Sequence, residues 1–354
     1  MRRYLIYGNG GSPHMLKWTR ELVKYFELYL VSSQDVLPEI EALIPANRIL
    51  KFGFKISEEG GNLAHLRAII PLARAIRRIR PHVINAHYIT SHGFTAALAV
   101  ALSRHHCQLV QSAWGTDILL TPRKNLAYKL ITRFALNRAQ LATSDSVAVS
   151  RIISSLSKTE TLRFPFGPAE LPDAGFSDKE TWLFFSNRTL NANSNINSIL
   201  RFFKKITGLR ESARLIIANE GSEKESLIAL RDELGLKERV CFTGFLDATE
   251  QEAVYRRAQY YFSLPSSDAL SVSLLEAMAY GCIPLVSDLP DNREWVEDGV
   301  NGLVLKENDH ADILDPMMKN AGSIFIMNRK KIAEGAMFPR SIQEYVNSLM
   351  NIDR

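Results

Sequence analysis

Cysteine is scarce: Cys107, Cys241 and Cys282 are the only three in 354 residues, and their spacing fits neither a disulfide framework nor a thiolate metal site. They read as buried thiols of a cytoplasmic protein. No apolar run approaches the roughly 20 residues of a membrane-spanning helix. The opening MRRYLIYGNGG has two arginines but only a five-residue apolar run, so it reads as a buried strand and not a secretory signal. No D-x-D pair is suited to a divalent ion. Acid is missing from one region. Between Gly60 and Ser144 the sole acid is Asp117, against eleven bases: Arg67, Arg74, Arg77, Arg78, Arg80, Arg104, Arg123, Lys124, Lys129, Arg133 and Arg138. That segment carries +10 (11 − 1) of a chain whose net charge is +5, leaving −5 (5 − 10) elsewhere. Such a one-sided field suits an anionic membrane leaflet, a lipid-linked phosphate or nucleic acid. Ordinary solvated helix faces would give the same composition. Nothing but charge favours nucleic acid, so none is expected as a partner.

The composition is that of a globular protein, 46% hydrophobic and 23% charged, long enough for two domains. Short apolar runs alternate with helical patterns throughout. In the first half, strands are expected at Arg3 to Tyr7, Leu28 to Ser32, Arg48 to Phe52, His82 to Ala86, Gln108 to Ala113, Leu141 to Thr143 and Glu160 to Phe164. Helices are expected near His14 to Tyr25, Asn62 to Arg80 (kinked or split at Pro71), Ser91 to Arg104 and Arg123 to Arg138. Pro165, Gly167, Pro168, Pro172 and Gly175 then crowd one segment, the best domain boundary in the chain. The second half restarts with strands at Trp182 to Ser186, Arg214 to Ala218, Val240 to Thr243, Tyr260 to Leu264 and Ile283 to Val286. Its last helices span about Ser323 to Glu334 and Arg340 to Met350. Strands alternating with helices imply parallel sheets covered on both faces.

Three stretches carry chemistry. Gly8-Asn9-Gly10-Gly11-Ser12-Pro13 is a glycine turn between strand and helix, although Pro13 leaves a dinucleotide fingerprint incomplete. His87 ends a parallel strand, where open α/β sheets place ligand groups. A strand then opens into Trp114-Gly115-Thr116-Asp117. The densest stretch is SLPSSDALSVSLLEAMAYGCIPLVSDLPDNREWVEDGVNG, from Ser263 to Gly302. Asp268 lies in a loop and Glu276 in the following helix, with seven residues between them. Leu270, Ser271, Val272 and Ser273 lie at the helix start, whose free N–H groups and dipole suit an anion. Asp268 read alone also fits the lesser alternative of a helix cap. Glu276 lies among apolar residues and needs a partner.

This stretch resembles the donor-sugar motif of retaining GT-B glycosyltransferases, most closely glycosyltransferase family 4. The matching residues are Asp268, Glu276, Ala277, Met278, Ala279, Gly281, Pro284, Glu294, Asp298, Gly299, Asn301 and Gly302. The family usually has glutamate where Asp268 stands, which bears on donor-sugar preference. The resemblance implies two Rossmann-like lobes with parallel sheets facing across a cleft. They would be an acceptor-binding domain over 1–168 and a nucleotide-sugar-binding domain over 178–335. A last helix over 336–354 would cross back to the first domain.

By the same resemblance, Glu276 would hold the ribose hydroxyls and Asp268 the hydroxyls of the donor sugar. Arg188, in Ser186-Asn187-Arg188, would face the donor diphosphate together with the amides from Leu270 to Ser273. The lysine that the family places shortly after that arginine is absent, and Asn191, Asn193 and Asn195 occupy its region. Glu220, in Asn219-Glu220-Gly221, resembles a family turn at the donor, and Phe245 and Leu246 match the loop passing the nucleobase. The Gly10 and Gly11 amides would approach the phosphates or the acceptor. His87 matches a histidine close to the transferred sugar. Trp114 stands where many members have histidine, and with Asp117 it falls on the acceptor side.

The resemblance therefore implies a retaining transfer of a hexose or N-acetylhexosamine, with UDP as the expected nucleotide. No metal or other cofactor is required, because the leaving phosphate itself accepts the acceptor's proton. The acceptor would be a glycan or lipid-linked glycan in cell-surface polysaccharide synthesis, such as lipopolysaccharide or capsule. The basic first half would allow peripheral association with the inner face of the cell membrane. Two departures, Asp268 and the absent lysine, keep open a non-catalytic paralogue acting as a partner subunit. A GT-B nucleotide-sugar epimerase is a further alternative.

Overall fold

The computed structural model describes residues 1–53 and 63–352. The chain divides into two units, Met1–Pro165 with Pro339–Arg354, and Phe166–Phe338.

The first unit is built on seven strands: β1 (Arg3–Gly8), β2 (Glu27–Ser32), β3 (Ile49–Lys51), β4 (Val83–His87), β5 (Gln108–Ser112), β6 (Leu141–Ser144) and β7 (Glu160–Arg163). They pair in parallel in the order β3-β2-β1-β4-β5-β6-β7. The chain moves outward from β1 in one direction, then returns to the other side of β1 with β4. The turns after β1 and β4 therefore splay apart at the carboxyl ends of adjacent strands, where open α/β sheets form their ligand crevice.

The second unit repeats this logic with β8 (Glu180–Ser186), β9 (Arg214–Ala218), β10 (Val240–Gly244), β11 (Ala258–Ser263), β12 (Ile283–Ser287) and β13 (Leu303–Leu305). Its order is β10-β9-β8-β11-β12-β13, all parallel, so its switch point lies between β8 and β11. Aromatic rings lock these two strands together: Phe184 stacks on Tyr260 with ring centroids 4.6 Å apart. One glycine is dictated by both torsion and space. Gly281 has φ +76°, and a Cβ there would stand 2.1 Å from the Phe325 ring.

The last helix, Phe338–Ile352, packs on the first sheet. The Tyr345 and Tyr4 hydroxyls lie 2.6 Å apart, and Gln108 Nε2 donates to the Leu349 carbonyl at 3.2 Å.

Several expected elements differ. The helix expected over Arg123 to Arg138 is broken at Asn125, which is fully extended (φ −167°) and caps Leu126–Asn137 by accepting from the Tyr128 amide. The helix expected from Ser91 starts as a π-turn, Ile89–Gly93, and turns α at Phe94. Pro71 does not kink a helix. It sits in the first turn of Ile69–Ile79, where its missing N–H costs nothing, and a 3₁₀ segment Leu63–Ala68 precedes it. Asn62, the expected start, lies outside the described residues. Strand β3 is shorter than expected because Ala46–Arg48 forms a 3₁₀ turn. Cys282 is buried, but Cys107 is half-buried and Cys241 is exposed, because β10 is the outermost strand of its sheet.

Candidate functional site

In the second unit β11 ends at Ser263 and a loop leads to the helix Val272–Ala279. Ser271 caps this helix, its Oγ accepting from the Leu274 amide at 3.4 Å. Capping therefore does not occupy Asp268, whose carboxylate turns to β8. Arg188, two residues past the end of β8, donates from Nη2 to Asp268 Oδ2 at 2.6 Å and from Nη1 to Ser271 Oγ at 2.7 Å. Burial lifts the Asp268 carboxyl above its usual range, and the Arg188 guanidinium works against that lift. Asn193, in the region of the absent lysine, staples the same loop. It donates to the Ser267 carbonyl at 2.9 Å and accepts from the Ser267 amide at 3.1 Å.

Beneath this pair lies a network of neutral groups. Asn187 Nδ2 donates to Tyr255 Oη at 2.8 Å and to Gln251 Oε1 at 2.7 Å. The Tyr261 hydroxyl donates to Asn187 Oδ1 at 2.8 Å and lies 2.7 Å from Ser273 Oγ, itself 2.9 Å from Ser271 Oγ. The Tyr255 hydroxyl reaches the Ser273 carbonyl at 3.2 Å and Glu276 Oε2 at 3.4 Å. Burial raises both tyrosines well above the ordinary phenol range, so they stay protonated donors. An unbroken path thus runs from Glu276 through Tyr255, Asn187, Tyr261, Ser273 and Ser271 to Arg188. Glu276 is half-buried on the first turns of its helix. The N–H groups that open that helix, at Val272 and Ser273, have no partner one turn back.

The other second-unit candidates line the neighbouring turns. Leu270 is buried, at 5% exposure. Glu220 is exposed and pairs with Lys224 Nζ at 2.6 Å. Phe245 is 73% exposed, an unusual position for a large apolar ring, while the next residue, Leu246, packs on the core beside it.

In the first unit a small recess opens at the β1/β4 switch point, lined by Asn9, Ser12, His14, His87, Tyr88 and Trp114. The His14 and Trp114 rings are 5.1 Å apart, Trp114 and His87 5.5 Å, and Tyr88 and Trp114 5.9 Å. Tyr88 has φ +70°, a conformation that costs a tyrosine about 1–3 kcal/mol and concentrates at ligand sites. His87 is buried, and among the described residues nothing hydrogen-bonds its Nε2. Burial, helped by His14, lowers its pKa to about 3, so the imidazole is neutral.

Asp117 does not face this recess as an open carboxylate. Its Oδ1 accepts from the Trp114 amide at 2.9 Å and its Oδ2 from the Ile89 amide at 2.7 Å. Burial nevertheless lifts its carboxyl to about 6. The glycine-turn amides are also engaged: Gly10 donates to Ser32 Oγ at 2.9 Å, and Gly11 to Asn9 Oδ1 at 3.0 Å. Gly10 is required by proximity, since a Cβ would meet Val36 at 2.8 Å and Ser32 at 2.9 Å.

Sequence reasoning passed over His14, Tyr88, Asn187, Tyr255 and Tyr261. Tyr88 and Asn187 each adjoin a residue that was singled out. Nothing local marks Tyr255, which acts from a separate helix, Ala248–Arg257. Among the described residues no group of three His, Cys, Asp or Glu side chains could hold a metal ion.

Comparison with known proteins covers both units. The family model described as glycosyl transferases group 1 matches residues 169–320, and that described as glycosyl transferase 4-like matches residues 4–146. An uncharacterized glycosyltransferase of Methanocaldococcus jannaschii is 30% identical over 129 residues, 36% of this chain and 33% of that protein. The N-acetyl-alpha-D-glucosaminyl L-malate synthase of Bacillus anthracis is 21% identical over 257 residues, 69% of this chain and 66% of that protein. The first of these matches spans about a third of the relative's length. Among solved structures, HepE of Anabaena in complex with UDP and glucose superposes with a TM-score of 0.78 at 16% identity, covering 99% of each chain.

Proposed function

We propose, from the premise that this chain belongs to the GT-B glycosyltransferases of family 4 (glycosyl transferases group 1), that it transfers a hexose or N-acetylhexosamine from a nucleotide-diphosphate sugar with retention of the anomeric configuration. The observation carrying this reading is the convergence of Arg188, Asp268 and the Val272–Ala279 helix start within hydrogen-bonding distance at the β8/β11 switch point.

Arg188 and the amides at Val272 and Ser273 would take the diphosphate, with Leu270 and Ser271 shaping the turn before them. Charge builds on the β-phosphate as the bond from C1 to its oxygen breaks, and fixed donors there lower the barrier. Glu276, oriented by the neutral Tyr255 hydroxyl, would accept from the ribose hydroxyls. Asp268 would hold a donor-sugar hydroxyl while steadying Arg188. Phe245 and Leu246 would line the base, with Glu220 on the adjoining turn. UDP is the expected base carrier, supported by the UDP bound in the similarly folded HepE.

In the first unit, His87 Nε2 would hydrogen-bond a sugar hydroxyl, and Trp114 would stack on a sugar ring. Asp117 would position Trp114 through its amide, and the Gly10–Gly11 turn would supply clearance. In the transfer itself, the acceptor hydroxyl bonds to C1 from the face the phosphate leaves. Its proton passes to the departing phosphate oxygen, so no protein base or metal is needed.

The acceptor in this reading is a glycan or lipid-linked glycan of a cell-surface polysaccharide, and the basic first unit would meet an anionic membrane. The test is incubation with UDP-glucose, UDP-galactose and UDP-N-acetylglucosamine against lipid-linked acceptors, following UDP release and product anomer by NMR. An α-linked product from an α-linked donor supports the reading. A β-linked product overturns retention, and a free epimerised sugar nucleotide overturns transfer.

A further inference from the structure

The helix Leu126–Asn137 buries Thr132, Ala135 and Leu136 but leaves two of its leucines outside. Leu126 and Leu130 face solvent, at 69% and 54% exposure, while Thr132 on the opposite side is fully buried. Surface helices turn leucines inward and hydroxyls outward. This register is held by the burial of Ala135 and Leu136 and by Thr132, whose Oγ1 lies 3.0 Å from Thr90 Oγ1 and donates within the helix to the Tyr128 carbonyl at 2.8 Å. Turning the leucines inward by rotation of the helix would break the contact with Thr90 and expose Ala135 and Leu136.

Leu126, Leu130 and Arg133 follow each other at the four- and three-residue steps that make one stripe, with Lys129 beside it. Arg123 is exposed just before the helix, next to Leu120 at 44% exposure. No acid occurs between Asp117 and Asp145. The same helix layer continues the pattern. Ile69–Ile79 packs on Phe94–Ser103, and Phe94 meets Phe134 at 5.6 Å. On Ile69–Ile79, one helix further along the layer, Ile70 is 55% exposed, with Arg74 and Arg78 exposed alongside.

We infer that this leucine-and-base face is the surface by which the first unit docks on an anionic lipid leaflet, with Leu126 and Leu130 entering the headgroup boundary and Lys129, Arg133 and Arg123 meeting lipid phosphates. This rests on, and sharpens, the membrane-side acceptor proposed above. The pairing of projecting aliphatics with cations selects lipid over nucleic acid. A polyanion grips the bases alone and gains nothing from exposed leucine, whereas an interfacial helix needs both.

The test is flotation of the full chain with vesicles of phosphatidylcholine alone and with about a third phosphatidylglycerol, a leaflet of strongly negative potential. Binding to the anionic vesicles only is expected. The Lys129→Glu/Arg133→Glu pair should weaken it by at least about fivefold per charge at low salt. The Leu126→Ser/Leu130→Ser pair should weaken it by roughly tenfold or more, including at high salt, where charge is screened. All four sites are solvent-exposed, so unchanged circular dichroism and unchanged UDP affinity are expected for both variants. Separate measurement of UDP binding distinguishes failure here from failure of the donor site. Absence of anionic-vesicle binding overturns the inference. So does serine-variant binding to anionic vesicles equal to that of the unaltered chain.

Discussion

Arg188 stands 2.6 Å from Asp268, and its second nitrogen lies 2.7 Å from the hydroxyl that caps the next helix. One guanidinium thus joins two residues to which the family resemblance gives different parts of a substrate. A planar fork held on two sides is already aimed before any diphosphate arrives, which reduces the ordering cost of binding.

Removing that fork is expected to weaken UDP binding by roughly 10- to 150-fold, the worth of one charge-assisted hydrogen bond of about 1.5–3 kcal/mol. Arg188→Lys should restore only part of the loss, because an ammonium cannot hold Asp268 and Ser271 in the same plane. Titration calorimetry with UDP on Arg188→Ala and Arg188→Lys checks both. Equal affinities for Lys and Arg would count against the bidentate role.

Tyr255 tests the network beneath the site. Tyr255→Phe deletes a hydroxyl that serves Asn187, Ser273 and Glu276 while keeping the ring. Stability should fall by about 1–3 kcal/mol, because buried polar partners lose their mate. Urea unfolding gives the stability cost. UDP-sugar turnover should fall as well, since Glu276 loses its orienting donor, and a stability loss with unaltered kinetics would make the network structural only.

The recess histidines fix the pH response. His87 has a folded pKa of about 3 against 6.5 for the free group, so the unfolded chain binds the extra proton in between. Its stabilising contribution is present above pH 6.5 and is lost as pH falls towards about 3. His14, lowered to about 4, acts in the same direction. Asp117, raised from 3.8 to about 6, has the opposite sign, and its contribution is lost as pH rises through 6. The two histidines outweigh the one carboxyl, so acidification from pH 6.5 should destabilise the protein. His87→Gln should remove about 1.4 kcal/mol of that slope per pH unit. Urea midpoints at several pH values, compared between the two proteins, measure it.

Much of the fold was legible because parallel strands announce themselves as apolar runs between turns, as in Trp182 to Ser186 and Ile283 to Val286. β13, Leu303–Leu305, was not. The break at Asn125 was hidden because its flanks share one helical composition, and only the cap on the Tyr128 amide ends the first segment. In the site, residues close together in sequence were found as a group, from Asp268 to Glu276. Tyr255, Tyr261 and Asn187 come from different elements and meet only through the β8–β11 pairing, which no local pattern encodes. At Gly10 the resemblance implies an amide turned to a ligand, whereas that amide donates to Ser32 Oγ.

In the proposed function the second unit holds a nucleoside diphosphate between Arg188 and Glu276. The most direct measurement is a thermal-shift panel of UDP, GDP, ADP, dTDP and CMP on the unaltered chain and on Glu276→Ala. A rise for UDP, equivalent to about 2.7 kcal/mol at a hundredfold excess over Kd and lost in the variant, is the predicted result. A flat panel, or a rise of equal size in Glu276→Ala, would contradict it.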